Sequence, residues 1–179
     1  MEHLSSKTAT KIKSVLIGDS GTGKSSILAR MKVDESPVDM PYTIGSDFCT
    51  HECQSSSHAI RHQVWDTGNE GRYSQIVKSY YRGCRIVVIV FDVGCRASFD
   101  GLDKHYASIS CSCQENMPEI LVIGNKSDLG SKRQVTQDEA EAWALKKEAF
   151  YLDYSAKEDS RAVIIAKLNE IVDKIMLNQ

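Results

Sequence analysis

Residues 18 to 25 have the sequence Gly-Asp-Ser-Gly-Thr-Gly-Lys-Ser, which fits the phosphate-binding pattern G-x-x-x-x-G-K-[ST]. Glycines in such a loop let the backbone turn tightly and point its N–H groups at phosphate oxygens. Lys24 can reach the β- and γ-phosphates of a nucleoside triphosphate, and the Ser25 hydroxyl can ligate Mg²⁺. The predicted phosphate site consists of Gly18, Asp19, Ser20, Gly21, Thr22, Gly23, Lys24, Ser25 and Ser26.

The segments on either side of this loop support the same interpretation. Residues 12–17, rich in β-branched residues, indicate a short buried strand, and residues 25–32 indicate a helix. A helix that starts at the loop would add a dipole favourable to an anion. The competing interpretation, a Gly-rich turn that binds nothing, fits this strand–loop–helix order less well.

A polar segment after a second predicted strand indicates which base would be bound. Residues 120–124 are apolar and run directly into Asn125, Lys126, Ser127 and Asp128. In an open α/β sheet, ligand-binding groups lie beyond the carboxyl ends of the strands. An aspartate there can accept hydrogen bonds from both N1–H and N2–H₂ of guanine, and adenine has no such pair of donors.

Two further features complete the predicted base site. We expect Asn125 to tether this segment to the phosphate loop and the stem of Lys126 to lie over the base. Ser155, Ala156 and Lys157 follow another apolar stretch, and a backbone N–H there would meet the guanine O6. Each motif alone is common, but the three together, each at a predicted strand end, favour a guanine nucleotide.

Hydrophobic patterning along the chain alternates between strands and helices. Residues 47–53 and 60–65 alternate in polarity around a serine-rich turn at 55–57, which predicts a hairpin. The other predicted elements are strands over 12–17, 85–91, 119–123 and 150–153, and helices over 25–32, 136–149 and 161–176. We therefore expect an α/β fold with a six-stranded, mostly parallel sheet and helices on both faces.

These motifs resemble, in type and order, those of the Ras superfamily of small GTPases, and within it the Rab branch. The resemblance covers nearly the whole chain. Residues 44–48 look like the Rab effector-loop sequence, with Ser46 where valine is usual, and residues 65–67 and 80–83 are also similar to Rab sequences. The resemblance implies a P-loop NTPase fold of the small G-protein type, with a flexible segment over 1–10 and one G domain over 11–177.

The resemblance also implies an activity, that of a molecular switch which binds GTP or GDP with Mg²⁺ and hydrolyses GTP, in vesicle trafficking. Thr43 and Asp66 would join Ser25 at the metal ion. Lys24 and Glu70 would be the catalytic residues. Gly68 and Asn69 would lie with the nucleotide-binding residues near the γ-phosphate.

The chain departs from the family pattern in the two segments that would respond to the nucleotide, a first switch segment that includes Ser36 and Thr43 and a second that includes residues 68–70. Asn69 stands where the family has a glycine, whose N–H meets the γ-phosphate, and Gly68 could take over after a backbone shift. Glu70 replaces the water-orienting glutamine, and an ionised glutamate only accepts hydrogen bonds, so its effect on hydrolysis has no predicted sign. Ser36 replaces an aromatic residue over the guanine edge.

These departures keep a second function open, namely a guanine-nucleotide-binding interaction module with little or no hydrolysis. A third possibility, an ATP-dependent P-loop kinase, is disfavoured by the guanine motif. The resemblance implies effector, exchange-factor and GTPase-activating proteins as partners, bound through residues 44–48 and 73–83. We expect a monomer that binds no nucleic acid.

Composition agrees with an ordinary globular domain. The chain has 179 residues, of which 41% are hydrophobic and 26% charged, and a net charge of −2, so charge implies neither nucleic-acid nor membrane binding. None of the six cysteines forms a C-x-x-C pair, which favours reduced thiols over zinc. The last cysteine is Cys113, so we expect no lipid anchor in this chain and a cytoplasmic location, or a peripheral endomembrane one if a lipidated tail was removed.

Overall fold

The computed structural model describes residues 9–34, 47–55, 58–67, 79–113 and 116–178. Six strands form one sheet in the order β2-β3-β1-β4-β5-β6. The strands are β1 Thr10–Ile17, β2 Asp47–Ser55, β3 His58–Asp66, β4 Ile86–Asp92, β5 Glu119–Asn125 and β6 Phe150–Tyr154. Only β2 runs antiparallel to its neighbour, so the predicted α/β class and mostly parallel six-stranded sheet are confirmed.

Helices cover both faces of the sheet, as predicted. The helices in the described ranges are α1 Lys24–Lys32, α2 Arg96–Asp100, α3 Leu102–Ser112, α4 Gln137–Lys146 and α5 Arg161–Leu177, with a 3₁₀ helix over Ser127–Lys132. Side chains from α1 and α5 pack on one face, and side chains from α2, α3 and α4 pack on the other. None of the helices in these ranges has the length and hydropathy needed to span a bilayer.

The burial patterns of two strands reflect their positions in the sheet. From Ile86 to Phe91 every side chain in β4 is buried, because helices cover both sides of this central parallel strand. The edge strand β2 instead alternates, with Cys49 facing the α5 side and Thr50 facing solvent. The β2–β3 register pairs Asp47 with Asp66, at the end of the hairpin where the chain enters β2 and leaves β3.

The helix α4 ends earlier than the predicted boundary at residue 149. The predicted cap is present, since the Thr136 hydroxyl accepts a hydrogen bond from the Glu139 N–H at 3.2 Å. At the other end Glu148 has a left-handed backbone, with φ of 54°. The N–H of Ala149 then bonds to the carbonyl of Ala144, a helix-ending arrangement that the apolar pattern did not reveal. The strand β1 begins at Thr10, inside the segment predicted to be flexible.

Two histidines lie next to each other on the α5 side of the sheet. His51 of β2 pairs with His62 of β3, and the Nε2 atom of His62 lies 2.5 Å from the Ser14 Oγ. Among the described residues, His62 Nδ1 and His51 Nε2 are buried without a hydrogen-bond partner. Burial lowers the pKa of His62 to about 4, from its ordinary 6.5, so the folded protein keeps this imidazole neutral.

We expect the free energy of unfolding to fall as the pH drops from 6.5 towards 4. Over that range His62 binds a proton in the unfolded chain but not in the folded one, so stability is lost on acidification and is fully present above 6.5. The loss amounts to at most about 3 kcal/mol. Urea denaturation of the wild type and His62→Gln at several pH values would measure it, with the variant showing a flatter dependence.

The matched control for this experiment is His58→Gln, because His58 is exposed on the same strand. This control should keep the pH dependence of the wild type. A His62→Gln variant as pH-sensitive as the wild type would contradict the assignment.

Candidate functional site

The carboxyl ends of β1, β3, β5 and β6 bring most of the predicted site residues together at one edge of the sheet. The loop after β1 contains three glycines with positive φ, and two of them make a close approach that a side chain would block. A Cβ on Gly18 would lie 2.1 Å from the Val90 carbonyl oxygen, and one on Gly23 would lie 2.2 Å from the Asn125 Nδ2. Glycine is therefore needed at both positions to seat the loop against its neighbours.

Lys24, the first residue of α1, directs its ammonium group back into this loop. Its Nζ donates hydrogen bonds to the carbonyl oxygens of Gly18 and Asp19, both at 2.9 Å. Burial lowers the pKa of Lys24, while the nearby carboxylates of Asp66 and Asp19 act in the opposite direction. The loop thus encloses a largely buried cation that could exchange its carbonyl partners for phosphate oxygens.

Ser25 and Asp66 meet where α1 begins and β3 ends. The Ser25 hydroxyl donates to Asp66 Oδ2 at 2.5 Å, and the Asp66 side chain is fully buried. The next residue, Thr67, donates its hydroxyl to the Leu16 carbonyl at 3.0 Å, which ties the end of β3 to β1. A hydroxyl and a carboxylate are hard oxygen ligands, so this pair fits Mg²⁺, which is usually bound by few protein groups together with phosphates and water.

Asn125 links three separate segments through one buried side chain. Its Nδ2 donates to the Thr22 carbonyl at 2.8 Å, and its Oδ1 accepts from the Ala156 N–H at 3.1 Å. The side chain is held at the end of β5, whose Asn125 pairs with Tyr154 of β6. The structure therefore places Asn125 in the tethering position expected from the sequence, and extends the tether to the segment after β6.

Asp128 and Lys126 flank this tether at the start of the 3₁₀ helix. The carboxylate of Asp128 accepts a hydrogen bond from the Ser155 hydroxyl at 2.6 Å, which fixes the orientation of the carboxylate. Lys126 has a left-handed backbone, and its Nζ donates to the Gly21 carbonyl at 2.9 Å and to Asp92 Oδ2 at 2.6 Å. The lysine stem thus spans from the segment after β5 to the phosphate loop.

Two backbone N–H groups after β6, those of Ser155 and Ala156, are already engaged within the protein. The Ser155 N–H donates to Asp159 Oδ2 at 2.7 Å, and the Ala156 N–H donates to Asn125. A base oxygen bound by either N–H would have to share it with, or replace, the acceptor seen here.

Sequence reasoning missed two residues that support the site. Arg30 of α1 is buried and donates to the backbone carbonyls of Ala156 and Lys157, at 3.0 and 2.6 Å. Asp92 pairs with Lys126 and also accepts from the Gly94 N–H at 2.8 Å. The position of Asp92, an acidic residue at the carboxyl end of a strand, was a usable signal. Arg30 carried none, because its hydrogen bonds to the segment after β6 join residues 126 and 127 positions apart in sequence.

Several predicted site residues lie outside the described residues, namely Thr43, Gly68, Asn69 and Glu70. Of the two predicted partner-binding segments, the structure describes residues 47–48 and 79–83. Phe48 is half-exposed and stacks on Trp65, with ring centroids 4.6 Å apart, so β2 and β3 present an aromatic pair beside the site.

Comparisons with known proteins match most of the chain to one family. The sequence model of the Ras family matches residues 13–176. The Ras-related protein RGP2 of Oryza sativa subsp. japonica is 40% identical over 146 residues, covering 82% of this chain and 67% of RGP2. Ras-related protein Rab-11A of Dictyostelium discoideum is 36% identical over 148 residues, covering 83% and 69%. Ras-related protein RABA4a of Arabidopsis thaliana is 35% identical over 167 residues, covering 90% and 74%.

We expect Asn125→Ala to lower the free energy of unfolding by about 2–4 kcal/mol. The variant leaves the Thr22 carbonyl and the Ala156 N–H buried without their present partner, and each such loss typically costs about 1–3 kcal/mol. Chemical denaturation would measure the change. The control is Asn116→Ala, at an exposed asparagine, which should stay within about 0.5 kcal/mol of the wild type. Equal losses in the two variants would argue against the tether.

Proposed function

The chain belongs to the Ras family of small GTPases, on its Rab-like branch, and we propose that it is a guanine-nucleotide switch of vesicle trafficking whose nucleotide site is the one described above. The activity of the family is the hydrolysis of GTP to GDP and phosphate. We propose a single G domain over residues 11–177.

The observation that carries the proposal is the network that joins Asp128, Asn125 and the phosphate loop. Asp128 is oriented by Ser155, and Asn125 holds the segments after β5 and β6 at a fixed place relative to Thr22. A carboxylate held in this way can accept the paired N–H donors of guanine while the loop holds the phosphates. Because adenine has no such pair of donors, this carboxylate would select a guanine nucleotide over an adenine nucleotide.

Phosphate binding would rest on the backbone of the loop and on Lys24. The N-terminus of α1 directs its N–H groups and its dipole into the loop. The ammonium of Lys24 is already desolvated, and a phosphate oxygen offers it a stronger, charge-assisted partner than the two carbonyls it now meets. This exchange is the physical reason for assigning Lys24 to the phosphates.

We assign Mg²⁺ to Ser25 and Asp66, with Thr43 as a further ligand in the GTP-bound state. The ion, when bound, would neutralise charge on the phosphates. The Ser25 hydroxyl and the buried Asp66 carboxylate are already in contact, so little reorganisation is needed for both to face one ion. The hydrogen bond of Thr67 to Leu16 keeps the end of β3 in place.

Hydrolysis would rest on positioning and charge stabilisation by Lys24, by the loop amides and by the metal ion. Glu70, together with Gly68 and Asn69, remains the proposed neighbourhood of the attacking water and the γ-phosphate. The alternative function, a nucleotide-binding module with little hydrolysis, is not favoured, because the family model and the relatives that match this chain are those of small GTPases.

Members of the Rab branch act through effectors, exchange factors and GTPase-activating proteins. For this chain we assign those contacts to residues 44–48 and 73–83. The stacked pair Phe48 and Trp65 supports the assignment, because a half-exposed aromatic beside the nucleotide site offers an apolar anchor to a partner.

We expect Asp128→Ala to weaken GDP binding by about 2–4 kcal/mol, because two charge-assisted hydrogen bonds to the base are lost. Asp128→Asn should shift preference towards xanthosine diphosphate, whose 2-oxo group accepts a hydrogen bond from the amide. Isothermal titration with both diphosphates would measure this. Asp138→Ala, at an exposed carboxylate in the first turn of α4, should bind GDP like the wild type. GDP binding unaffected by either Asp128 variant would refute the base assignment.

Ser25→Ala and Thr43→Ala should affect Mg²⁺-dependent binding differently. Ser25→Ala should weaken both GDP and GTP, because its hydroxyl faces the metal in both states. Thr43→Ala should weaken a non-hydrolysable GTP analogue only, because the γ-phosphate is what draws the first switch segment to the ion. Titrations with and without Mg²⁺ would separate the two effects. Equal losses for both nucleotides in Thr43→Ala would rule out its assigned role.

A further inference from the structure

The phosphate loop is in contact with α3 through one side-chain pair. The Nε2 atom of His105, in the first turns of α3, lies 3.0 Å from the Oδ1 atom of Asp19. Because a carboxylate only accepts, His105 donates this hydrogen bond, and both the neutral imidazole with its proton on Nε2 and the imidazolium can do so. We propose that His105 is a positioning residue for the phosphate loop, acting through Asp19. This inference rests on the proposed function.

A glycine at the N-terminus of α3 makes room for the same carboxylate. Gly101 caps the N-terminus of α3, four residues before His105. A Cβ at Gly101 would lie only 3.1 Å from the other carboxylate oxygen of Asp19, which is tighter than ordinary side-chain packing. The carboxylate is therefore seated on the first turn of α3, with one oxygen over Gly101 and the other on His105.

The backbone of Asp19 also stabilises the conformation of the phosphate loop. Its carbonyl oxygen accepts from the Thr22 hydroxyl at 2.9 Å and from Lys24 Nζ at 2.9 Å. A shift of Asp19 would consequently move the acceptor that positions the catalytic ammonium. Within the described ranges, the hydrogen bond to Asp19 is what links the His105 side chain to the phosphate loop, so its influence on Lys24 passes through Asp19.

The contact also bears on the charge of the site. The Asp19 carboxylate lies close enough to Lys24 to act on the pKa of the ammonium. An anionic side chain in a phosphate-binding loop disfavours phosphate, and a hydrogen-bond donor that holds it against α3 limits that penalty. On the opposite side the loop is held by Asn125 at Thr22 and by Lys126 at Gly21. His105 supplies the matching restraint at Asp19.

The test is the release of a fluorescent GDP analogue from the Mg²⁺-loaded protein. His105→Ala should release it roughly two- to fivefold faster, the range expected for a partly exposed pair of this kind. His105→Gln should restore slow release, because its side-chain amide can donate in place of Nε2. In an Asp19→Ala background, His105→Ala should add nothing, because the acceptor is gone.

Lys104→Ala serves as the matched control, at the exposed neighbouring position on α3, and should release the analogue like the wild type. Unchanged release from His105→Ala, failure of His105→Gln to restore it, or the same acceleration in the Asp19→Ala background would each overturn the inference while leaving the proposed function intact. A wild type that binds no GDP would overturn the proposed function and the inference with it.

Discussion

The site depends on the close approach of the buried side-chain amide of Asn125 to Gly23, which has no Cβ atom. Asn125 Nδ2 sits where a Cβ of residue 23 would have to be, and from there it bonds to the loop carbonyl of Thr22. The same amide reaches the segment after β6 through its oxygen. Three segments that are far apart in sequence are therefore fixed relative to each other by one side chain, and the distance between base site and phosphate site follows from it.

The electrostatics of the site follow from the burial that this packing creates. An ammonium group buried beside backbone carbonyls has lost much of its hydration, and the lowered pKa of Lys24 reflects that cost. The carboxylates of Asp66 and Asp19 oppose this shift and favour the charged form. The backbone carbonyls of the loop therefore compensate the positive charge of Lys24 only in part. An anionic ligand gains most binding energy from a cation in this condition.

Much of the fold and the site could be predicted from the sequence because the signals are local. The glycine pattern of residues 18–25, the run of apolar residues in β4 and β5, and the Thr136 cap each reflect the conformation of a few consecutive residues. The seating of Arg30 on the carbonyls of Ala156 and Lys157 could not be predicted, because it joins residues distant in sequence and leaves no local pattern. The early end of α4 was missed for another reason: a non-glycine residue, Glu148, adopts the left-handed backbone that glycine usually marks.

The pairing of Asp47 with Asp66 has a mechanical consequence. The chain enters β2 from one predicted switch segment and leaves β3 into the other at the same rung of the ladder. A slip of one residue would turn the inward row of the hairpin, which includes His51 and His62, towards solvent, so the register is firmly locked. The hairpin therefore fixes the ends of both segments side by side, at Asp47 and Asp66. A partner protein bound over this pair would contact the ends of both segments at once, whatever conformation each segment adopts.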